Sequence, residues 1–449
     1  MTGSRHEIDM TQGALMPALI KFSLPLILSG VLQLAFNAAD LIVVGKYAGE
    51  VYLAAVGSNT ALVSLLLNVM LGVCTGTSVM TARYFGAKEG ESLKKMVHTS
   101  VLTGFAGGVI FAVLGIILAV PLLKLMGTPE EVLPLAAVYL RIYFAGLPVM
   151  QVYNFSAAIL RAVGDTKRPL YYLTAAGVLN VGLNLVFVIV FKLNVAGVAL
   201  ATVISQLLSC ALVVAALTKA DGDYRLELKS LKPDAQSFKQ ILEIGIPAAI
   251  QSSMFSISNV LIQSSINSFG AMTMAGNTAA ASIEGFIFVS LDAINQSSIA
   301  SVSQNMGAKK PDRVVRAVRY CLLIEVVLSV TMGALIIIFS RPLLGFYTDE
   351  EAAIAAGITR MTIMGSFFFL NGMQHMMGGV MRSIGYSMLP TVVSLFGICG
   401  FRIVWLYTAF AANRTLQMLY ISYPISWIIT FSVHFILYLC LRKKAWERM

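Results

Sequence analysis

The stretch FNAADLIVVG, residues 36–45, sets a carboxylate, Asp40, near the end of a long apolar run. A short acidic side chain cannot reach far toward water. An ionised carboxylate in hydrocarbon costs roughly 2.5–3.5 kcal/mol even on lenient insertion scales. If the run crosses a membrane, that charge needs a reason to be there.

Composition says that it does cross one. Of 449 residues, 57% are hydrophobic and 12% charged, against about 25% charged in an ordinary globular chain. Runs long enough to cross a bilayer core of about 30 Å as helices recur throughout. Twelve spans are expected, at approximately 16–45, 52–82, 97–121, 131–158, 169–191, 195–218, 239–266, 276–303, 314–340, 353–380, 386–411 and 416–441. The first fourteen residues are mixed and polar, unlike a cleaved signal peptide, so the first span is expected to stay.

The net charge of +10 raises a nucleic-acid partner, but the placement of the basic residues argues against one. They fall mainly in alternate connections: Arg83, Lys88, Lys94 and Lys95; Arg161, Lys167 and Arg168; Lys219 to Lys239; Lys309 to Arg319; and Arg442 to Arg448. The positive-inside rule then puts both termini in the cytoplasm of a multi-pass plasma-membrane protein. Five cysteines, at 74, 210, 321, 399 and 440, fall within apolar spans without close pairing and read as packing residues.

The chain repeats itself. Pro25 and Asn37 recur as Pro247 and Asn259, an offset of 222; YFGAK (84–88) matches NMGAK (305–309), and Arg161, Gly164 and Pro169 match Arg382, Gly385 and Pro390, both at 221. Six spans per half give both halves the same orientation in the membrane, hence a pseudo-twofold axis along the membrane normal. The expected fold is an all-α membrane protein of two six-helix lobes, 1–218 and 239–449, joined by a polar cytoplasmic linker at 219–238. Two such bundles enclosing a central cavity suit a carrier better than a pore. The copies also differ: at the offset of Asp40 the second half has Ile262, which favours a role for the acid confined to one lobe.

On span 1, Gln33, Asn37 and Asp40 stand at i, i+4 and i+7, on one helical stripe. Asn180 and Asn184 share a face of span 5, and span 6 contributes Thr202. Asp40 is five residues from Gly45, Asn184 eight from Lys192, and Thr202 about seven into its span. At about 1.5 Å of rise per residue they lie at nearly one depth, in the outer half of the membrane. The plainer reading is a structural acid near the interface and polar glue between helices.

Taken together, the Pro25 helix with NAADLIVVG, ARYFGAK, LRAVGDTKRP, QNMGAKKPDR and MRSIGYSMLP, set in a duplicated twelve-span plan, resemble the multidrug and toxic compound extrusion (MATE) transporters. The resemblance implies export of amphipathic, often cationic compounds in exchange for H+ or Na+. It also implies a cation site in the first lobe built from Asp40, Asn180, Asn184 and Thr202. The family often carries a second aspartate where this chain has Asn184, a departure that tilts the expectation from Na+ toward protons. Withdrawal from water disfavours the charged form of a carboxylate, so such a group can gain and lose a proton near neutral pH. Neutralising it would let span 1, with Pro25, Gly30 and Gly45, bend or repack and displace substrate outward.

On span 8, Glu284, Asp292 and Asn295 lie deep in apolar surroundings. They either line a substrate cavity in the second lobe, where an acid would attract cationic compounds, or pair with Arg402 or Arg360. Glu325, His375 and His434 read as packing residues, and the 22 methionines as core or an adaptable lining. A lipid-linked oligosaccharide flippase shares this general bundle plan and is the alternative, but it should show a strongly basic groove, for which only Arg402 stands out. An enzyme is not expected: the chain has no HExxH, GxSxG or Walker motif and no soluble segment long enough for a catalytic domain. No cofactor is expected beyond the coupling ion, no partner beyond bilayer and substrate, and a monomer suffices.

Overall fold

The computed structural model describes residues 7–447. Arg448, counted above with the basic C-terminal residues, and residues 1–6 of the polar start lie outside them. Among the described residues the secondary structure is helical throughout, as a bilayer requires, since hydrocarbon offers backbone N–H and C=O groups no other partners.

The elements are α1 (Leu15–Val43), α2 (Glu50–Ala87), α3 (Gly90–Leu125), α4 (Leu133–Ala145), α5 (Leu147–Ala162), α6 (Lys167–Leu185), α7 (Asn194–Thr218), α8 (Ala235–Asn267), α9 (Ala271–Gly307) and α10 (Pro311–Ile338). The short α11 (Ser340–Gly345) precedes α12 (Glu351–Ser383) and α13 (Met388–Ser394), and α14 (Phe401–Tyr407), α15 (Ala409–Ala412), α16 (Leu416–Tyr420) and α17 (Ser422–Trp446) complete the chain. Among the described residues, eleven helical segments are long and apolar enough to span a membrane. The twelfth span is the pair α4 and α5, bent by 47°. The sequence reads 131–158 as continuous; the bend falls at Gly146, just before Pro148, whose ring removes a backbone donor and clashes with the preceding turn. Several helices run well past the hydrocarbon: α9, at 37 residues, extends about 55 Å.

The duplication extends to local backbone conformation. Lys88 and Lys309 both close a helix in the left-handed region, at φ 60° and 54°. Gly164 and Gly385 lie at φ 94° and 99°, and Gly49 and Gly270 at 106° and 94°. These six pair up at the offset of 221. Pro25 and Pro247 both sit inside long helices.

Two compact units result, with limits that differ from 1–218 and 239–449. One comprises Leu28–Gly245 with the described residues up to Asp9; the other comprises Met10–Ile27 and the chain from Ile246 onward. Hydrogen bonds explain the difference. In the second unit, Arg313 donates to the carbonyls of Met10, Gln12 and Gly13, Lys310 to that of Thr11, and Asn305 to that of Met10. In the first, the polar segment after α7 is tied down: Lys94 donates to Glu227 at 2.8 Å, the Tyr224 hydroxyl to Glu7 at 2.7 Å, and Asp234 caps α8 by accepting from the Ser237 N–H. Lys94 and Ser230 hold the Glu227 carboxyl below the usual carboxylate range, and the Ser237 bonds do the same for Asp234.

Each unit has its own apolar core. In the first, Leu140, Phe144 and Leu147 pack with Ala119 and Leu123; in the second, Phe368 and Trp427 lie with Ile262, Ile287 and Met361. Ile262, the counterpart of Asp40, is 1% exposed.

Candidate functional site

In the first unit α1 and α6 approach closely at Gly177. A Cβ there would overlap the Phe36 ring, so glycine permits the approach that brings the next turns together. One turn beyond Phe36, Asp40 accepts a hydrogen bond from the Asn184 side-chain amide at 2.5 Å; the same amide donates to Asn180 Oδ1 at 3.3 Å. Asn180 and Asn184 are buried and Asp40 is partly so. Of the three residues placed at one depth by residue counting, Asp40 and Asn184 therefore meet, joined by Asn180 from the same face of α6.

Immediately beyond the pair both helices loosen into π-helical turns, Val44–Ala48 and Val186–Val190, which pack against each other. Such turns often mark functional positions in helices. Asn184 Oδ1 is buried with no hydrogen-bond partner, a feature that asks for an explanation in a site where most polar atoms are matched. The Tyr139 phenol on α4 lies within electrostatic range of Asp40; the sequence offered no sign of it, because a tyrosine in an apolar run reads as packing.

The other expected members stand differently. The Thr202 hydroxyl donates to the Val198 carbonyl of its own helix at 3.0 Å. Gln33 and Asn37 share the stripe but are exposed. Among the described residues no group of three or more His, Cys, Asp or Glu side chains is placed to hold a metal.

The acids on α9 take both of the courses left open above. Glu284 is fully buried in a bidentate pair with Arg360, whose Nε lies 3.0 and 3.2 Å and Nη2 2.6 Å from the carboxylate oxygens. Arg360 Nη1 donates to Asn277 Oδ1 at 2.7 Å, and the Tyr420 hydroxyl to the same oxygen at 3.1 Å. Glu284 is thus a partner for Arg360 rather than cavity lining. Asp292 and Arg402, by contrast, line a cavity of about 310 Å³ within the second unit. Asn295, itself buried, donates to Asp292 at 3.4 Å, and Gln296 does so at 2.7 Å. His434 is buried between the carbonyls of Gln374 and Pro390, with a ring nitrogen 3.3 Å from each and one N–H to donate to either.

A duplicated bundle of spanning helices with polar groups buried at matched depth defines a multi-pass membrane transporter fold. The MatE family model matches residues 25–186 and again 247–408, two copies offset by the 222 residues read from the sequence. This chain belongs to the MatE family, a family of transporters rather than enzymes. It is 30% identical over 387 residues, 84% of its length and 83% of the relative's, to a probable multidrug resistance protein, YoeA, of Bacillus subtilis. A FAD transporter of Shewanella oneidensis is 24% identical over 75% of each chain. The fold also matches, with a TM-score of 0.91, 22% identity and 100% of each chain covered, a structure described as the outward-facing conformation of a multidrug resistance MATE family transporter.

Proposed function

We propose that this chain is a secondary active antiporter of the plasma membrane, with both termini and the segment 219–238 in the cytoplasm. It works as a monomer, exporting amphipathic, often cationic compounds by alternating access in exchange for H+ or Na+. Asp40, Asn180 and Asn184 form the coupling site, with Thr202, Asn37 and Gln33 around it. The observation that carries this reading is the 2.5 Å bond from Asn184 to Asp40, a membrane carboxylate met by a neutral amide and not by a countercharge. Structural acids in membranes are more commonly paired with a cation, as Glu284 is with Arg360.

The chemistry follows from the donors and acceptors present. Ionised, Asp40 accepts from Asn184 Nδ2. Protonated, its O–H needs an acceptor, and Asn184 Oδ1 is a buried one without a partner. A proton thus changes both the charge at this point of α1 and the sense of its bond to α6. The adjoining π-helical turns and Pro25 are where the helix can absorb the change. One carboxylate among amides suits H+ better than Na+, which gains from several oxygen ligands and more negative charge.

Transport by purified protein in liposomes tests the reading, with proton and sodium gradients imposed separately and cationic dyes as cargo. Accumulation driven by the proton gradient is the expected result. Dye movement indifferent to both gradients would overturn it.

A further inference from the structure

The cavity in the second unit has a buried cation, which the coupling site lacks. Asn259 at its wall corresponds to Asn37, and Arg402 to Asn180, at the repeat offset of 222, while Asp40 is replaced by Ile262. Where the first half buries an acid beside amides, the second half buries a cation.

Arg402 is 4% exposed. Its Nε donates to the Ser426 hydroxyl at 3.2 Å, and its guanidinium lies 4.0 Å from the centroid of the Tyr423 ring. Neither neighbour carries a negative charge. Arg360 in the same unit shows what a structural arginine looks like here, with a bidentate carboxylate and an amide oxygen on its donors. A guanidinium presents five donors in a planar fork that matches an oxyanion. Arg402 keeps that fork at the wall of a cavity large enough for a small aromatic molecule.

Asp292 lines the same cavity, and no ion pair within 4.0 Å joins it to Arg402. Its oxygens accept from the neutral amides of Gln296 and Asn295, and with His375, which lines the same cavity, as the titratable neighbour, its carboxylate also faces the space. Phe288, Tyr423 and Trp427 supply aromatic surface between them. We propose that this cavity is a substrate site for aromatic compounds carrying both charges, the oxyanion on Arg402 and the protonated amine on Asp292. The proposal deepens the exporter reading and rests on it for the direction of transport, but not for binding.

The test is binding of naphthylalanine to the purified full chain, compared with its methyl ester, which keeps only the cation, and its N-acetyl derivative, which keeps only the anion. In the unaltered protein the free amino acid should bind at least about tenfold more tightly than either, the loss expected when a buried charged group goes unmatched. Arg402→Gln should remove the advantage over the ester, and Asp292→Asn the advantage over the N-acetyl form, with Arg402→Lys intermediate. Equal affinities of the three probes in the unaltered protein would overturn the proposal without any variant. So would an Arg402→Gln protein of normal melting temperature that still prefers the zwitterion. Discrimination in binding with no gradient-driven transport would instead refute the exporter reading and leave this site standing.

Discussion

The amide of Asn184 donates to two side-chain oxygens, the carboxylate Oδ1 of Asp40 on α1 and the amide Oδ1 of Asn180 one turn away on α6, and leaves its own Oδ1 buried without a partner. It is the hinge of the coupling scheme, because a single amide can answer either protonation state of the acid. Replacing it by leucine, of similar volume, removes both donor and acceptor. Asn184→Leu should keep the protein folded yet uncouple transport from the gradient, seen as unchanged dye binding with lost gradient-driven uptake.

Asn184→Asp gives the site a second carboxylate. Two acids at this distance cannot both be ionised without a cation between them, so the variant should depend on sodium more strongly than the unaltered chain does. Transport measured against sodium at fixed pH checks this; an unchanged sodium response would remove charge number as the determinant of ion choice.

The Glu284–Arg360 pair makes a sharper stability prediction than any surface charge. Removing one partner leaves the other buried and uncompensated, a loss of about 3–5 kcal/mol. Glu284→Gln and Arg360→Met should each lower the melting temperature of the detergent-solubilised protein markedly, and the double variant should recover much of the loss. Additive losses would mean that the two groups act separately.

Gly177 faces Phe36 with no room for a methyl group. Gly177→Ala should cost about 1–3 kcal/mol, as overpacking does, and should weaken the approach of α1 to α6 that aligns Asp40 with Asn184. Phe36→Leu in the same chain should relieve part of both effects, read as melting temperature and as gradient-driven uptake.

The segment after α7 has its own acid sensitivity. Glu227 and Asp234 are held below their ordinary range by Lys94, Ser230 and Ser237. A depressed carboxylate contributes stability that is present above its unfolded value, about 4, and lost as the pH falls through the lower folded value. Hydrogen exchange over 224–237, corrected for intrinsic rate, should therefore show protection at pH 5–7 that fades below about 4. Glu227→Gln should already reduce it at neutral pH.

Most of the fold can be read from the sequence because a bilayer leaves few alternatives: long apolar runs must be helices, the offset of 222 joining Pro25 to Pro247 reappears in the two family matches, and an offset one residue shorter joins paired left-handed residues such as Gly164 and Gly385. The bend in the fourth span was signalled by Pro148 but masked by the apolar residues around it. In the candidate site, helical period and depth sufficed for Asp40, Asn180 and Asn184. For Thr202 they left the hydroxyl's partner open, since depth does not say whether a hydroxyl bonds across helices or, as here, to its own turn. Tyr139, and the choice of Arg360 over Arg402 as the partner of Glu284, depend on how helices distant in sequence pack, which no local pattern records.

The most direct measurement is proton-gradient-driven export by Asp40→Asn in liposomes, alongside exchange of labelled for unlabelled substrate at equal pH on both sides. The account predicts that exchange persists while uphill export falls to the level of protein-free liposomes, because the variant still binds cargo but can no longer change charge at α1. Uphill export at the original rate by Asp40→Asn would contradict it.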